Sequence, residues 1–308
     1  MQLTMRRYGG EGDYWRIREF LRQVFMINER RELSWQAYRF DYWRWHIVEN
    51  IGYGSLEEDV FLWEAQDGGI AAVLNPEGKG IAYLQVHPQS RSPKLENEML
   101  TLAEEQLAVS KANDHRWIGV FAHEHDELRR EILKHRGYSE SSIKENHHRR
   151  SMSMPVPDIQ ITEGYALRAL GDKEELPARS FVSWQAFHPD EPEDNYEGWE
   201  WYVNIQRAPL YRRDLDLVAV AHDGEFASFC TVWFDDVTRC GAFEPVGTAP
   251  SHQRRGLARV VMYEGLRRLK RLGATMAFVG SGSPAAHDFY VSIGFNEIEH
   301  SVMWEKEL

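Results

Sequence analysis

A polar, basic run ending at a glycine, Gln253-Arg254-Arg255-Gly256, leads straight into Leu257-Ala258-Arg259 and an amphipathic apolar pattern. That pattern predicts a helix starting at about Leu257. The first N–H groups of a helix have no intrahelical partner, and the aligned peptide dipoles add partial positive charge there. Such a start holds phosphate oxygens, provided the ligand can come close to the backbone. Gly256 has no side chain in the way and Ala258 is nearly as permissive. Arg254, Arg255 and Arg259 can add charge around the anion. The chemistry expected here is the cradling of a phosphate or pyrophosphate.

A second segment, HPDEPEDNYEGWEWY from His188 to Tyr202, sets five carboxylates between Asp190 and Glu197, followed by Trp199, Trp201 and Tyr202. Carboxylates beside aromatic faces suit a cationic amine, by charge pairing and cation–π contact. A solvated acidic loop next to a core-packing helix is the other reading of the same residues. The histidines at 123, 125, 147 and 148 lack a third and fourth ligand at metal-binding spacing, so no metal is expected. The run His147 to Arg150 (HHRR) reads as a solvated strand face. Cys230 and Cys240 read as two small core residues and not as a disulfide, which suits a reducing cytoplasm.

These groups need elements to place them. The chain has 308 residues, more than one hydrophobic core usually serves, so two domains are expected. Hydrophobic residues at 43% suffice for packed cores. The net charge of −12, most of it in the second half, argues against a nucleic-acid partner and suits a cationic small substrate. No apolar run approaches the roughly 20 residues that cross a bilayer, and MQLTMRRYGG has no signal-peptide core, so no membrane partner is expected.

In the second half, residues 159–170 alternate as a strand, and DKEELPARSFVSWQAF reads as a helical region interrupted at Pro177. After the acidic loop comes a helix from Trp199 to about Gln206. The strands LDLVAVAHD, FASFCTVWF and GAFEPVGT come next, the first pair joined at Asp223-Gly224. Leu257, Val261, Gly265, Leu269 and Leu272 then recur at helical spacing, with Gly273 as the C-cap. The strand TMAFVG, a short helix from Pro284 to Ser292 and the closing strand EIEHSVMWEKE complete the half. The first half repeats the order: QLTMRRY, a helical region over 13–50, VFLWEAQ, GIAAVLN, GIAYLQVHP, the helix KLENEMLTLAEEQLAVSKA, RWIGVFA, the helix DELRREILKHRG and a last strand within SIKENHHRRSMSM. In WQAYRFDYWRWH, the residues Trp35, Tyr38, Tyr42 and Trp45 lie at helical spacing and predict a packed core face. The repetition implies an internal duplication, residues 1–154 and 155–308, joined near MPVPD.

Gln253-Arg254-Arg255-Gly256-Leu257-Ala258 resembles the Q/R-x-x-G-x-G/A signature of the Gcn5-related N-acetyltransferases. EPVGTAP before it is similar to that family's fourth strand, and SPAAHDFYVSIGF (Ser283 to Phe295) to its later motif. The resemblance covers residues 159–308 and, more weakly, 1–154. It implies an α/β (α+β) fold of two tandem acetyltransferase domains, each a mixed, mostly antiparallel sheet flanked by helices. It implies acetyl-CoA as cosubstrate and a small-molecule amine as acceptor. It also implies that the amides around Gly256 hold the pyrophosphate, and that Val246, Gly247 and Thr248 pair with the pantetheine arm and polarise the thioester carbonyl, with Gly247 shaping a bulge. Ser283 falls in the later motif, on the cofactor side. Acyl transfer must take a proton from the amine and give one to the departing sulfur. On the resemblance, Glu244 is the base and Tyr290 the acid.

Aligning HPQSRSPKLENEML with APSHQRRGLARVVM sets Arg91 beside Gln253, Lys94 beside Gly256 and Glu96 beside Ala258. Matching Gly137-Tyr138 with Gly294-Phe295 sets Leu133 beside Tyr290. The first domain is therefore expected to keep the fold and lose the cofactor. It could cover the acceptor pocket, or form a pseudo-dimer with the second domain in a monomer or homodimer. The competing functions are a noncatalytic acyl-CoA-binding regulator and an acyltransferase acting on a thiol cofactor's amine or on an antibiotic.

Overall fold

The computed structural model describes residues 2–110, 115–158 and 160–308. The helix expected through Lys111 and Ala112 ends already at Gln106, with Val109–Ser110 extended as a strand, while residues 111–112 and the first residue of the strand expected from 159 lie outside the described residues. The chain forms two compact units, Met1–His147 with Glu299–Leu308, and His148–Ile298.

The first unit contains β1 (Thr4–Arg7), α1 (Glu11–Ile27), α2 (Ala37–Tyr42), α3 (Leu56–Asp59), β2 (Phe61–Glu64), β3 (Ile70–Gly78), β4 (Ile81–Val86), α4 (Pro93–Gln106), β5 (Val109–Ser110), β6 (Arg116–His123), α5 (Glu127–His135) and most of β7 (Ser139–Ser151). Its sheet runs β1-β2-β3-β4-β6. The last strand of the chain then lies antiparallel to β6, with Ser301 opposite His123 and Glu307 opposite Trp117.

The second unit takes the end of β7 and continues through β8 (Tyr165–Ala169), α6 (Leu176–Phe187), α7 (Trp201–Ile205), β9 (Asp216–Ala221), β10 (Phe226–Asp235), β11 (Cys240–Thr248), α8 (Leu257–Arg271), β12 (Met276–Ser281) and α9 (Pro284–Ser292), with the start of β13 (Glu297–Glu307). Its strands run β8-β9-β10-β11-β12 and are antiparallel except for the β11–β12 pair. Residues 148–152 lie along the far side of β12, where the Met152 N–H donates to the Thr275 carbonyl at 3.0 Å.

Three expectations need correction. The closing strand belongs with the first unit and not with the second domain, so the units divide at 147/148 and 298/299 and not at 154/155. The reason is the ladder that residues 301–307 form on β6. The HHRR run is no solvated face, since His147, His148 and Arg150 are buried. The segment from Trp35 to His46 is not one regular α-helix. α2 starts only at Ala37, and Trp43–Ile51 winds as a wider π-helix, so the core face becomes Trp35, Phe40, Trp43 and Trp45, with Tyr38 and Tyr42 half-buried.

The core of the second unit sets Leu257, Val261, Leu266 and Leu269 of α8 against Cys230, Val232 and Phe243 of the sheet. Burying each such Leu contributes about 1.5–3 kcal/mol. Gly265 interrupts the apolar stripe because a Cβ there would lie 2.6 Å from the Phe243 ring. Its absence lets α8 lie close on the sheet. Cys230 and Cys240 are free and buried, and Cys230 Sγ donates to the Val261 carbonyl at 3.6 Å.

Candidate active site

β11 and β12 pair in parallel at only three positions, Cys240–Met276, Gly241–Ala277 and Ala242–Phe278. On the other flank, β11 matches β10 from Phe243–Val232 to Val246–Cys230, so Glu244 and Pro245 together stand opposite Thr231. This is a bulge, an extra residue that bends the strand and re-aims the residues beyond it. The expected bulge at Gly247 is therefore displaced to Glu244-Pro245. Gly247 is required for a different reason. A Cβ on it would lie 2.4 Å from Phe229 and 2.9 Å from Ala186 of α6. Trp233 Nε1 donates to the Glu244 carbonyl at 2.6 Å and anchors the bulge. Val246, Gly247 and Thr248 come next, half-buried, and Ser228 Oγ donates to the Gly247 carbonyl at 2.8 Å.

The chain then turns into α8. Gly256 is its N-cap residue, with φ +75°, a left-handed conformation that L side chains rarely adopt. Among the described residues, no side chain caps the helix start, and nothing lies within 4 Å of where a Cβ on Gly256 would sit. The helix start thus lacks a side-chain cap and has room at Gly256, which meets the condition set by phosphate chemistry. Arg254, also at positive φ, is exposed. Gln253 Nε2 reaches back to the Thr248 carbonyl at 3.4 Å, tying the two ends of the loop. Arg255 donates to Tyr165 OH at 2.9 Å and braces β8. Leu257 is buried in the core and offers only its backbone, whereas Ala258 and Arg259 are half-exposed. Arg259 donates to Ser292 Oγ at 3.1 Å and links α8 to α9.

Ser283 caps α9, accepting the Ala286 N–H at 3.2 Å, so its hydroxyl serves the helix itself. Seven residues on, Tyr290 is 8% exposed, held between Phe289, Phe295 and the buried His148. Burial, reinforced by the Glu244 carboxylate and then Cys230, pushes its phenol above the ordinary tyrosine value. Glu244 and Tyr290 are thus near enough to feel one another, one a half-buried carboxylate and the other a phenol that keeps its proton. The contribution of His148 and its partner Ser281 is not legible in the sequence, because the strand that brings the histidine here is far away in the chain.

The acidic segment is exposed from Asp190 to Glu197 apart from Tyr196, and no ion pair joins its five carboxylates to a cation among the described residues. Its aromatic companions differ from those expected. Tyr202 turns inward, where it donates to the buried Asp216, itself paired with Arg179 at 2.9 Å. The rings nearer the carboxylates are Phe181, Trp184, His188 and Tyr196, with centroids 5.2–5.9 Å apart in successive pairs.

The corresponding helix start in the first unit is closed. Ser92 caps α4 by accepting the Leu95 N–H at 3.3 Å. Glu96 is completely buried and accepts from Arg91 Nε at 2.9 Å and from Arg129 Nε and Nη2 at 3.0 and 3.1 Å. Asp126, the N-cap of α5, pairs with Arg91 as well. Lys94, at the position of Gly256, is exposed. The space between the starts of α4 and α5 is thus filled by two arginines and two carboxylates. Leu133, opposite Tyr290, is a buried core residue with no proton to exchange. Among the described residues, no three His, Cys, Asp or Glu side chains group as a metal site, and no helix is long and apolar enough to cross a membrane.

Residues 176–295 match the model of the acetyltransferase (GNAT) family. No curated relative matches the chain by sequence. Among solved structures, the chain is similar to a GCN5-related N-acetyltransferase from Sphaerobacter thermophilus (TM-score 0.65, 17% identity, 99% of this chain and 95% of that one). It is also similar to a tandem GNAT protein from the clavulanic acid biosynthesis pathway (TM-score 0.66, 13% identity, 99% and 98%). Saccharomyces cerevisiae N-myristoyltransferase has a related fold (TM-score 0.57, 11% identity, 98% and 80%). The family domain lies over the uncapped helix start, the bulged strand and Tyr290, and the fold likeness runs through both units. Residues 176–295 thus carry a domain of the acetyltransferase (GNAT) family, and the chain as a whole shares the fold of a tandem GNAT protein.

Proposed function

We propose that the protein is an acetyl-CoA-dependent N-acetyltransferase whose second unit alone binds the cofactor, and whose acceptor is a primary amine on a small molecule. The observation that carries this is the contrast between two equivalent helix starts. α8 begins at a left-handed glycine with open space and no cap, while α4 is capped by Ser92 and filled by Glu96. The residues present fit a pyrophosphate at α8. The amides of Leu257 and Ala258 and the side chains of Arg254 and Arg259 would hold it, and the half-buried backbone from Val246 to Thr248 would take the pantetheine arm. Bound there, acetyl-CoA supplies an activated acetyl thioester.

Glu244 takes the proton of the attacking ammonium, directly or through a water, so that the amine presents its lone pair. Amides of the β11 end stabilise the charge that develops on the carbonyl oxygen. Tyr290, protonated well above neutral pH, gives its proton to the departing sulfur. A noncatalytic acyl-CoA sensor would need neither group, whereas a half-buried carboxylate at the β11 bulge and a buried phenol on α9 suit the enzyme. The unpaired carboxylates and the aromatic rings of α6 favour a cationic acceptor, and Phe229 under Gly247 meets Phe187 of the same helix with ring centroids 6.2 Å apart.

The test is thiol release from acetyl-CoA in the presence of an aliphatic monoamine, a diamine, an amino sugar and an arylalkylamine. Release accelerated by at least one of these is expected, with mass spectrometry showing the acetylated amine. Coenzyme A binding without acceleration by any amine would refute the catalytic reading.

A further inference from the structure

His148 is fully buried, although a histidine seldom is unless its ring nitrogens are satisfied. Here both are engaged. Nδ1 lies 3.4 Å from the Phe295 carbonyl and Nε2 lies 2.9 Å from Ser281 Oγ. A carbonyl only accepts, so in the neutral ring Nδ1 carries the proton and Nε2 accepts from the serine hydroxyl. An imidazole tied at two opposite edges cannot turn. Its ring meets Tyr290 at 5.8 Å in an edge-to-face arrangement, and His287 of α9 lies 5.0 Å away. Phe289 and Phe295 flank Tyr290 at 5.4 and 6.4 Å. Through Phe295 the same histidine also holds the residue that backs the tyrosine ring. A phenylalanine could fill the volume, but it would leave the Ser281 hydroxyl and the Phe295 carbonyl without this partner.

We propose that His148, locked by Ser281, is a positioning residue that fixes the orientation of Tyr290 for proton delivery to the leaving sulfur. The proposal rests on the acid role given to Tyr290. Proton transfer demands a near-correct donor geometry, and a misplacement of about 1 Å can cost on the order of 100-fold in rate. The fold reaches this arrangement by laying residues 148–152 along β12, so the histidine precedes the rest of the second unit in the chain.

The experiment is a double-mutant cycle on the full chain, with acetyl-CoA and whichever amine of the four-amine panel gives the fastest release. His148→Phe should lower kcat about 10-fold or more, and Ser281→Ala, which removes a single oxygen, about 3-fold, with coenzyme A affinity by calorimetry within about 2-fold of the parent. Neither change should slow the Tyr290→Phe protein further, because nothing remains to be positioned. In the free protein carrying 3-fluorotyrosine, the Tyr290 resonance, identified by its loss in Tyr290→Phe, should shift or broaden in both variants. If His148→Phe does not fold, Ser281→Ala carries the test alone. Equal slowing of the parent and Tyr290→Phe proteins, or an unmoved Tyr290 resonance, overturns the proposal and leaves the acid role standing. Full turnover by Tyr290→Phe overturns the acid role and the positioning role together.

Discussion

On the proposed reading cofactor binding turns on Gly256, and its substitution separates conformational strain from obstruction. Any L side chain there must adopt φ +75°, at a cost of roughly 1–2 kcal/mol. Gly256→Ala should therefore lower the melting temperature by a few degrees and weaken coenzyme A modestly. Gly256→Glu adds a carboxylate beside the pyrophosphate and should abolish binding in calorimetry. Tyr290 gives a pH prediction. Its folded-state pKa is raised, so the neutral, proton-donating form persists as pH climbs through 10. The value of kcat/KM should rise as the ammonium of the amine loses its proton, with no tyrosine-linked fall up to pH 10. Tyr290→Phe should lower kcat about 10- to 100-fold with little change in coenzyme A affinity, the range typical of a lost general acid. A fall in rate between pH 8 and 10 that disappears in Tyr290→Phe would contradict the raised phenol.

The elements repeat between the units, but their contents do not. α4 and α8 both begin after a proline and a short 3-10 turn, yet one start is closed by its own side chains. Removing Glu96 takes both close hydrogen-bond acceptors from the buried Arg129 and leaves it only Asp126 at 3.8 Å, and breaking a buried pair costs up to about 3–5 kcal/mol. Glu96→Ala should accordingly destabilise the protein in denaturant titration, while Lys94→Ala, at an exposed position, should leave stability and coenzyme A binding unchanged. The helix start at Leu257, the hairpin at Asp223-Gly224 and the strand ending in EPVGT were legible because local pattern and turn chemistry specify them. The bulge at Glu244-Pro245 was not, since it depends on how β10 and β11 come into register. Nor was the quartet of Arg91, Glu96, Asp126 and Arg129, because its members meet only once α4 and α5 are packed. The π-helical turn after Tyr42 likewise defeats a reading based on 3.6-residue spacing.

At the scale of the whole molecule, the duplication was visible from the repeated order of elements, and the destination of the last strand was not. Strand partnership is a long-range choice, and EIEHSVMWEKE carries no mark of the sheet it joins. Deleting residues 299–308 should therefore expose the β6 amides of the first unit to hydrogen exchange, while α8 and β10 of the second unit stay protected. The same duplication frames the central claim, that of two equivalent helix starts only one holds the cofactor. Calorimetric titration of the full chain with coenzyme A measures this directly. We predict one site per chain, lost in Gly256→Glu and retained in Lys94→Ala; two sites per chain, or a single site that survives Gly256→Glu, would contradict the account.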